Sequence, residues 1–255
     1  MPAAAADRSI SLAGRLRIAL RLSAMVALLL GCVALFYFWH LSRAENPWPR
    51  RFLAGIARLA GVALLVEGER VRGGEFLLAN HVSWIDIPAI AAASGAAFVA
   101  HDGLASVPVL RWLCVMHNTV FVARHDRASV HRQVDQVRAA IRDTGSLAIF
   151  PEGTTSNGTA LLSFKSSLLS ALDPLPAGVA VQPVLLDYGA EAPAIAWIGD
   201  EPGLDNFLWI LSRARPVALT IRFLPPLAGD ALASRKTIAA AARAAIATAL
   251  ENRAG

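Results

Sequence analysis

Apolar residues are distributed along the chain in three different ways. From Leu22 to Trp39 they make 18 residues without a charge, closing on Phe36, Tyr37, Phe38 and Trp39. As a helix this run reaches about 27 Å, just under the hydrocarbon core of a bilayer. After the break at Asn46-Pro47-Trp48-Pro49, a second stretch puts Phe52, Leu53, Ile56, Leu59, Ala60 and Ala63 on one helical face, with Arg51 and Arg58 off it. This fits either an amphipathic helix at a membrane surface or an ordinary helix packed on a domain. From Val62 onward, short apolar runs alternate with helical periods. Strands are predicted at residues 62–66, 75–79, 97–100, 119–123, 147–150, 179–186, 194–198 and 217–224. Helices are predicted near residues 85–93, 107–116, 128–142, 161–172 and 204–211, the third with a stripe of Val130, Val134, Val137 and Ile141. A last helix carries Ile238, Ala242, Ile246 and Leu250 on one face. Such alternation predicts an α/β domain: a mostly parallel central sheet flanked by helices, with room for antiparallel strands late in the chain.

Composition adds a membrane to this picture. The 255 residues are enough for one good core and an appendage, and a hydrophobic content of 55% implies that something faces lipid. The net charge is +5, unevenly placed: the first 72 residues hold ten arginines against Asp7, Glu45, Glu67 and Glu69, a balance of +6 that leaves the remainder at −1. Positive charge confined to the most apolar part suits an anionic membrane surface, whereas nucleic acid would call for a basic stripe on the folded domain. Arginines flank the apolar run on both sides, Arg15, Arg17 and Arg21 before it and Arg43, Arg50 and Arg51 after it, as expected of a hairpin with both ends in the cytoplasm. A cleaved signal peptide is the rival, since Ser42-x-Ala44 resembles a cleavage site, but the run is longer than a usual signal core and ends in bulky aromatics. Cys32 and Cys114 are too few for a disulfide framework and fit a reducing, cytoplasmic setting. The expected division is a disordered terminus at 1–14, a membrane-associating helical hairpin at 15–66 and the α/β domain at 67–255.

Candidate chemistry begins at residues 80–86, Asn-His-Val-Ser-Trp-Ile-Asp, directly after the predicted strand 75–79. A histidine with a carboxylate five residues on can activate a hydroxyl, the imidazole taking the proton and the carboxylate fixing its tautomer. An ideal helix would leave His81 and Asp86 roughly 140° apart, so the pair meets only if His81 precedes an irregular helix start. A structural hydrogen bond is the alternative reading of the same pair. A second polar stretch, Phe150-Pro151-Glu152-Gly153-Thr154-Thr155-Ser156, follows another predicted strand, and Arg124 follows a third. If these strands are parallel neighbours, His81, Arg124 and Glu152 converge at their carboxyl ends, where open α/β sheets bind ligands.

Together N-H-x-S-x-x-D and F-P-E-G-T-x-S resemble the first and third motifs of the glycerolipid acyltransferase family, whose type member is 1-acylglycerol-3-phosphate acyltransferase. Residues 43–227 carry the resemblance. It implies transfer of an acyl group from an acyl-CoA or an acyl carrier protein thioester, used as co-substrate with no other cofactor, to the hydroxyl of a lysolipid at the cytoplasmic membrane. His81 and Asp86 would be catalytic. Asn80, Ser83, Arg124, Glu152, Gly153, Thr154, Thr155 and Ser156 would bind substrate, Arg124 taking an anionic head and the loop offering donors to a phosphate, while Glu152 holds the loop or a substrate hydroxyl. The second motif is matched loosely by Pro108 and Arg124, and Gln182-Pro183-Val184 resembles the fourth, part of an acyl pocket or a plain core strand. His101 and Gly103 stand where the family often has a lysine and an acid, and Lys165-Ser166 where it has lysine-glycine. The expected acceptor is 1-acylglycerol-3-phosphate. Ala196-Trp197-Ile198-Gly199-Asp200 resembles the branch that acylates lyso-ornithine lipid and makes that the alternative.

Other classes fare worse. A hydrolase using Ser83 lacks a G-x-S-x-G elbow, and its serine lies only two residues from its base. His81, Asp86, His101 and His117 show no metal-ligand spacing. A non-catalytic membrane-binding module accounts for the first 72 residues but for neither motif.

Overall fold

A computed structural model describes residues 9–39, 41, 46–101, 108–122 and 130–254. The N-terminal segment is a pair of helices, α1 (Leu12–Trp39) and α2 (Trp48–Leu59). Three contacts show that they run antiparallel. Asn46 donates to the Phe36 carbonyl at 3.1 Å, Gly55 lies against Leu28, and Gly61 lies against Arg21. The 28 residues of α1 extend about 42 Å, more than a hydrocarbon core, whereas the 12 residues of α2 extend about 18 Å and are too short to cross one. Pro47 and Pro49 fix where α2 begins, Pro49 in the first turn where its missing N–H costs nothing.

The hairpin is fastened to the domain. Seven strands form one sheet in the order β1-β7-β6-β2-β5-β3-β4. They are β1 (Val62–Glu67), β2 (Glu75–Ala79), β3 (Ala97–His101), β4 (Val120–Val122), β5 (Ser146–Ile149), β6 (Ala180–Asp187) and β7 (Val217–Phe223). All pairs are parallel except β6 with β7. Around the sheet lie α3 (Asp86–Ser94), α4 (Pro108–Met116), α5 (Val130–Thr144), α6 (Ala192–Ile195), α7 (Gly203–Ser212) and α8 (Arg235–Glu251). Arg17 donates to Ser212 O at 2.5 Å and Arg21 to Leu211 O at 2.8 Å, so two arginines of α1 satisfy the last carbonyls of α7. Arg50 of α2 does the same for α3 through Ala92 O at 3.1 Å. These basic residues, read from sequence as membrane flanks, are helix caps. Elsewhere α1 is mostly uncovered: only Gly14, Met25 and Cys32 are buried, and Leu12, Leu16, Leu20, Val26 and Leu30 are exposed.

Central strand β2 is buried at every position, as expected of a parallel strand covered on both faces. Phe76 and Leu78 face one core with Val137, Ile141, Ile238 and Ala242, while Leu77 and Ala79 face the other with Ile85, Ile90, Leu211 and Ile221. Four expectations are corrected. Residues 194–198 are not a strand: Pro193 starts the short helix α6, and the chain then turns extended at Ala196. Residues 161–165 are not helical, because their backbone groups are taken elsewhere, Leu162 N by Glu152, Lys165 N by Pro151 O, and the carbonyls of Leu161 and Leu162 by Arg243. A 3-10 helix (Ser166–Leu172) follows. Leu12 to Gly14 belong to α1, with Gly14 packed on Ser212, and β1 belongs to the sheet, so the N-terminal appendage ends before Val62.

Candidate active site

His81 lies in an irregular bend between β2 and α3, the junction that its spacing to Asp86 demands. Its Nδ1 lies 2.7 Å from Asp86 Oδ2. The same oxygen accepts the backbone N–H of Val82 at 2.7 Å and of Ser83 at 2.9 Å. Asp86 Oδ1 accepts the hydroxyl of Tyr188. The carboxylate is wholly buried and opens α3, and there it meets three N–H or O–H donors besides the imidazole. An ionised carboxylate only accepts, so Nδ1 carries the proton and Nε2 presents a lone pair. The imidazole keeps 17% of its surface exposed and stacks on Phe150 with ring centroids 4.1 Å apart.

Glu152 holds the other side of the bend. It follows β5, the parallel neighbour of β2, and is buried. One oxygen accepts His81 N at 2.9 Å and the other Leu162 N at 2.9 Å. Burial raises its pKa, against the pull of these two N–H groups and of nearby His81. Ser156 donates to His81 O from its backbone N–H at 2.7 Å and its hydroxyl at 3.1 Å. Thr155 donates its hydroxyl to Trp197 O, and Trp197 N donates to Val82 O at 3.0 Å. At Gly158 the backbone has φ +72°, and an added Cβ would meet Ala192 at 2.7 Å, so the loop needs glycine to close on this bend.

The roles therefore divide differently from the sequence expectation. His81, Asp86, Glu152, Thr155 and Ser156 are brought together. Asn80 and Ser83, expected to touch substrate, are buried instead: Asn80 exchanges two hydrogen bonds with the backbone of Leu186 at 3.1 and 2.8 Å, and Ser83 turns its hydroxyl to Asn206 at 3.4 Å. Thr155 and Ser156 direct their hydroxyls to backbone carbonyls rather than to a phosphate. Thr154 alone among residues 150–156 is exposed, and Gly153 has the Lys165 ammonium beside it. Arg124 and Gly103 lie outside the described residues. Gln182 is a core residue that accepts Val71 N and donates to the carbonyls of Glu69 and Leu224.

Sequence reasoning missed Tyr188. It is the first residue after β6, the second parallel neighbour of β2, and its hydroxyl reaches the one Asp86 oxygen that the bend leaves open. Burial and then the Asp86 charge raise its pKa well above the usual tyrosine value, so it remains a donor. The carboxyl-end rule for parallel strands, applied to β6, points to this residue.

Beyond Phe150 lies an apolar cavity of about 230 Å³ between the hairpin and the domain. Leu29, Val33 and Phe36 of α1, Phe52 and Leu53 of α2, and Ile87 of α3 line it. Phe98 joins it to the site, with its ring 6.3 Å from Phe150.

Comparison with known proteins agrees with this geometry. Residues 63–187 match the family model described as Acyltransferase. A lyso-ornithine lipid O-acyltransferase from Rhodobacter capsulatus is 32% identical, covering 94% of this chain and 92% of its own length. A 1-acyl-sn-glycerol-3-phosphate acyltransferase from Neisseria gonorrhoeae is 33% identical over 59% of each chain. The crystal structure of the 1-acyl-sn-glycerophosphate (LPA) acyltransferase, PlsC, from Thermotoga maritima shares the fold, with a TM-score of 0.67, 21% identity and coverage of 94% and 97% of the two chains. With a histidine hydrogen-bonded to a buried aspartate at the carboxyl edge of a parallel sheet, and a relative 32% identical over 92% of its own length, the chain belongs to the acyltransferase family.

Proposed function

We propose that the protein transfers a fatty acyl group from an acyl thioester directly to the hydroxyl of a lyso-ornithine lipid, with His81 as general base. The observation that carries this mechanism is the bonding of Asp86, which fixes Nδ1 as the protonated nitrogen and leaves Nε2 to accept a proton. The acceptor oxygen attacks the thioester carbonyl carbon as its proton passes to Nε2. The tetrahedral intermediate then collapses with loss of the C–S bond, and the imidazolium returns the proton to the leaving thiolate. No protein nucleophile is required. Ser83 is buried and turned away, and Cys32 and Cys114 lie on the apolar cavity. That cavity suits the acyl chain, each buried methylene contributing about 0.8 kcal/mol.

Support for the acceptor comes from two sides. Two sequence relatives aligned over more than nine-tenths of their own length, from Rhodobacter capsulatus and Pseudomonas aeruginosa, are lyso-ornithine lipid O-acyltransferases, and Trp197 of the matching segment bonds directly to the histidine bend. The hydroxyls of Thr155 and Ser156, set aside in sequence for a phosphate, are engaged within the protein. A second reading, 1-acylglycerol-3-phosphate as acceptor, is favoured by the Neisseria relative. Labelled acyl thioester, as CoA and as carrier-protein forms, offered with a panel of lysolipids decides between them. Label in lyso-ornithine lipid is expected. Label in 1-acylglycerol-3-phosphate alone overturns the acceptor, and free fatty acid formed regardless of acceptor overturns acyl transfer.

The hairpin places the enzyme on the cytoplasmic leaflet without crossing it. In favour are the shortness of α2 and the caps that tie α1 to α7, a helix of the soluble domain. Protease access to both flanks of α1 in sealed inverted vesicles is expected, and protection of one flank overturns the one-leaflet arrangement.

A further inference from the structure

The cavity beside Phe98 is apolar almost throughout, yet two buried nitrogens on its wall, Trp48 Nε1 and His117 Nδ1, have unmet hydrogen bonds, and only the histidine can accept as well as donate. His117, just past the end of α4, lines the cavity, and its Nδ1 is buried with no hydrogen-bond partner among the described residues. Leaving a buried ring nitrogen unpaired is costly, and an otherwise apolar pocket gains nothing from it unless a ligand supplies the partner. His117 packs on Phe98, with ring centroids 5.8 Å apart. Phe98 in turn stacks near Phe150 at 6.3 Å, and Phe150 on His81 at 4.1 Å. Three ring contacts thus link His117 to His81. It also borders a second, polar pocket of about 500 Å³ lined by Arg50, Asn118, Asp143 and Thr144, and sits where the two spaces meet. Burial lowers its pKa from 6.5 to about 4, so at neutral pH the ring is uncharged, one nitrogen a donor and the other an acceptor.

We infer that His117 is a specificity-determining residue that selects acyl donors carrying a hydroxyl near the middle of the chain. Such a group both donates and accepts, so it satisfies the ring nitrogen in either tautomer. The inference rests on the cavity being the acyl site. A plain hydrocarbon fills the same space but leaves the nitrogen orphaned, so the two donors differ by the cost of that orphan, about tenfold or more in kcat/KM.

The test compares acyl thioesters of one length, unsubstituted, 3-hydroxylated and hydroxylated mid-chain, on the full-length protein with a fixed acceptor. The mid-chain hydroxyl should raise kcat/KM about tenfold over the other two. His117→Leu should bring that ratio close to one, and His117→Asn, which keeps a donor and an acceptor, should retain part of it. A wild-type ratio near one, or a ratio unchanged in His117→Leu, overturns the inference. Wild-type turnover of the plain donor is read in the same experiment, so loss of acyl transfer altogether is recognised separately. A second measurement needs no variant and no turnover. Cys32 and Cys114 both line the cavity, so a bound chain should slow their alkylation, and a mid-chain hydroxy fatty acid should do so at about one tenth the concentration of the plain acid. Equal protection by the two acids contradicts the inference.

Discussion

At the His81 bend the polar groups around the imidazole are tied together: Asp86 takes four partners, Glu152 takes two backbone N–H groups, and Ser156 closes the His81 carbonyl. Linked to it through Phe150 and Phe98 is the cavity, with a wall mainly of aliphatic and aromatic side chains and two orphans among the described residues that line it, Trp48 Nε1 and His117 Nδ1. The contrast separates two tasks. The bend fixes one imidazole in one tautomer, and because its groups share partners, a change to one leaves another buried and unpaired. The cavity fixes volume, and volume is graded, so changes there should reorder substrates while chemistry continues.

Predictions that break this contrast run from the bend to the cavity. His81→Ala should lower kcat by about 10²- to 10⁴-fold, the range for loss of a general base, with folding and membrane binding intact as judged by circular dichroism and vesicle sedimentation. Asp86→Asn should come close to that loss, because a neutral amide no longer stabilises the imidazolium and, with its NH2 toward Nδ1, favours the wrong tautomer, as the same change does in a serine protease triad. Tyr188→Phe removes one donor from a buried carboxylate and should cost about tenfold, read in kcat with KM little changed. Leu29→Trp narrows the cavity and should leave short donors active while each methylene excluded costs about fourfold in kcat/KM for long ones. The smallest effect is on stability. His117 has a folded pKa of about 4 against 6.5 when unfolded, so between those values the unfolded chain binds the extra proton. Its contribution is therefore complete above about pH 6.5 and is lost as pH falls toward 4. The melting temperature of the wild type should drop more steeply across that window than that of His117→Leu.

The bend was legible in sequence because its partners are close along the chain. His81 and Asp86 are five residues apart, and Glu152 announces itself by following a strand. Tyr188 was not, since it meets Asp86 across 102 positions, and only the order of strands brings it there. Residue type also could not say whether a polar side chain faces substrate or protein. Asn80 and Ser83 look like ligands in a motif and prove to be buried supports, a distinction that burial alone makes. The alternating pattern predicted the parallel sheet well but failed at residues 194–198, where five apolar-rich positions obscured the effect of Pro193. In the N-terminal segment the apolar run fixed a helix, while the role of Arg17 and Arg21 depended on carbonyls about 190 positions away.

The central claim is that the bend prepares a base and not a nucleophile. Its most direct test is rapid chemical quench of the wild-type enzyme with excess labelled acyl thioester, first without acceptor and then with lysolipid added. Direct transfer predicts no label on protein at any time, and label in lipid that appears in one phase only when acceptor is present. Label bound covalently to the protein before acceptor is added, and chased into lipid afterwards, would contradict it.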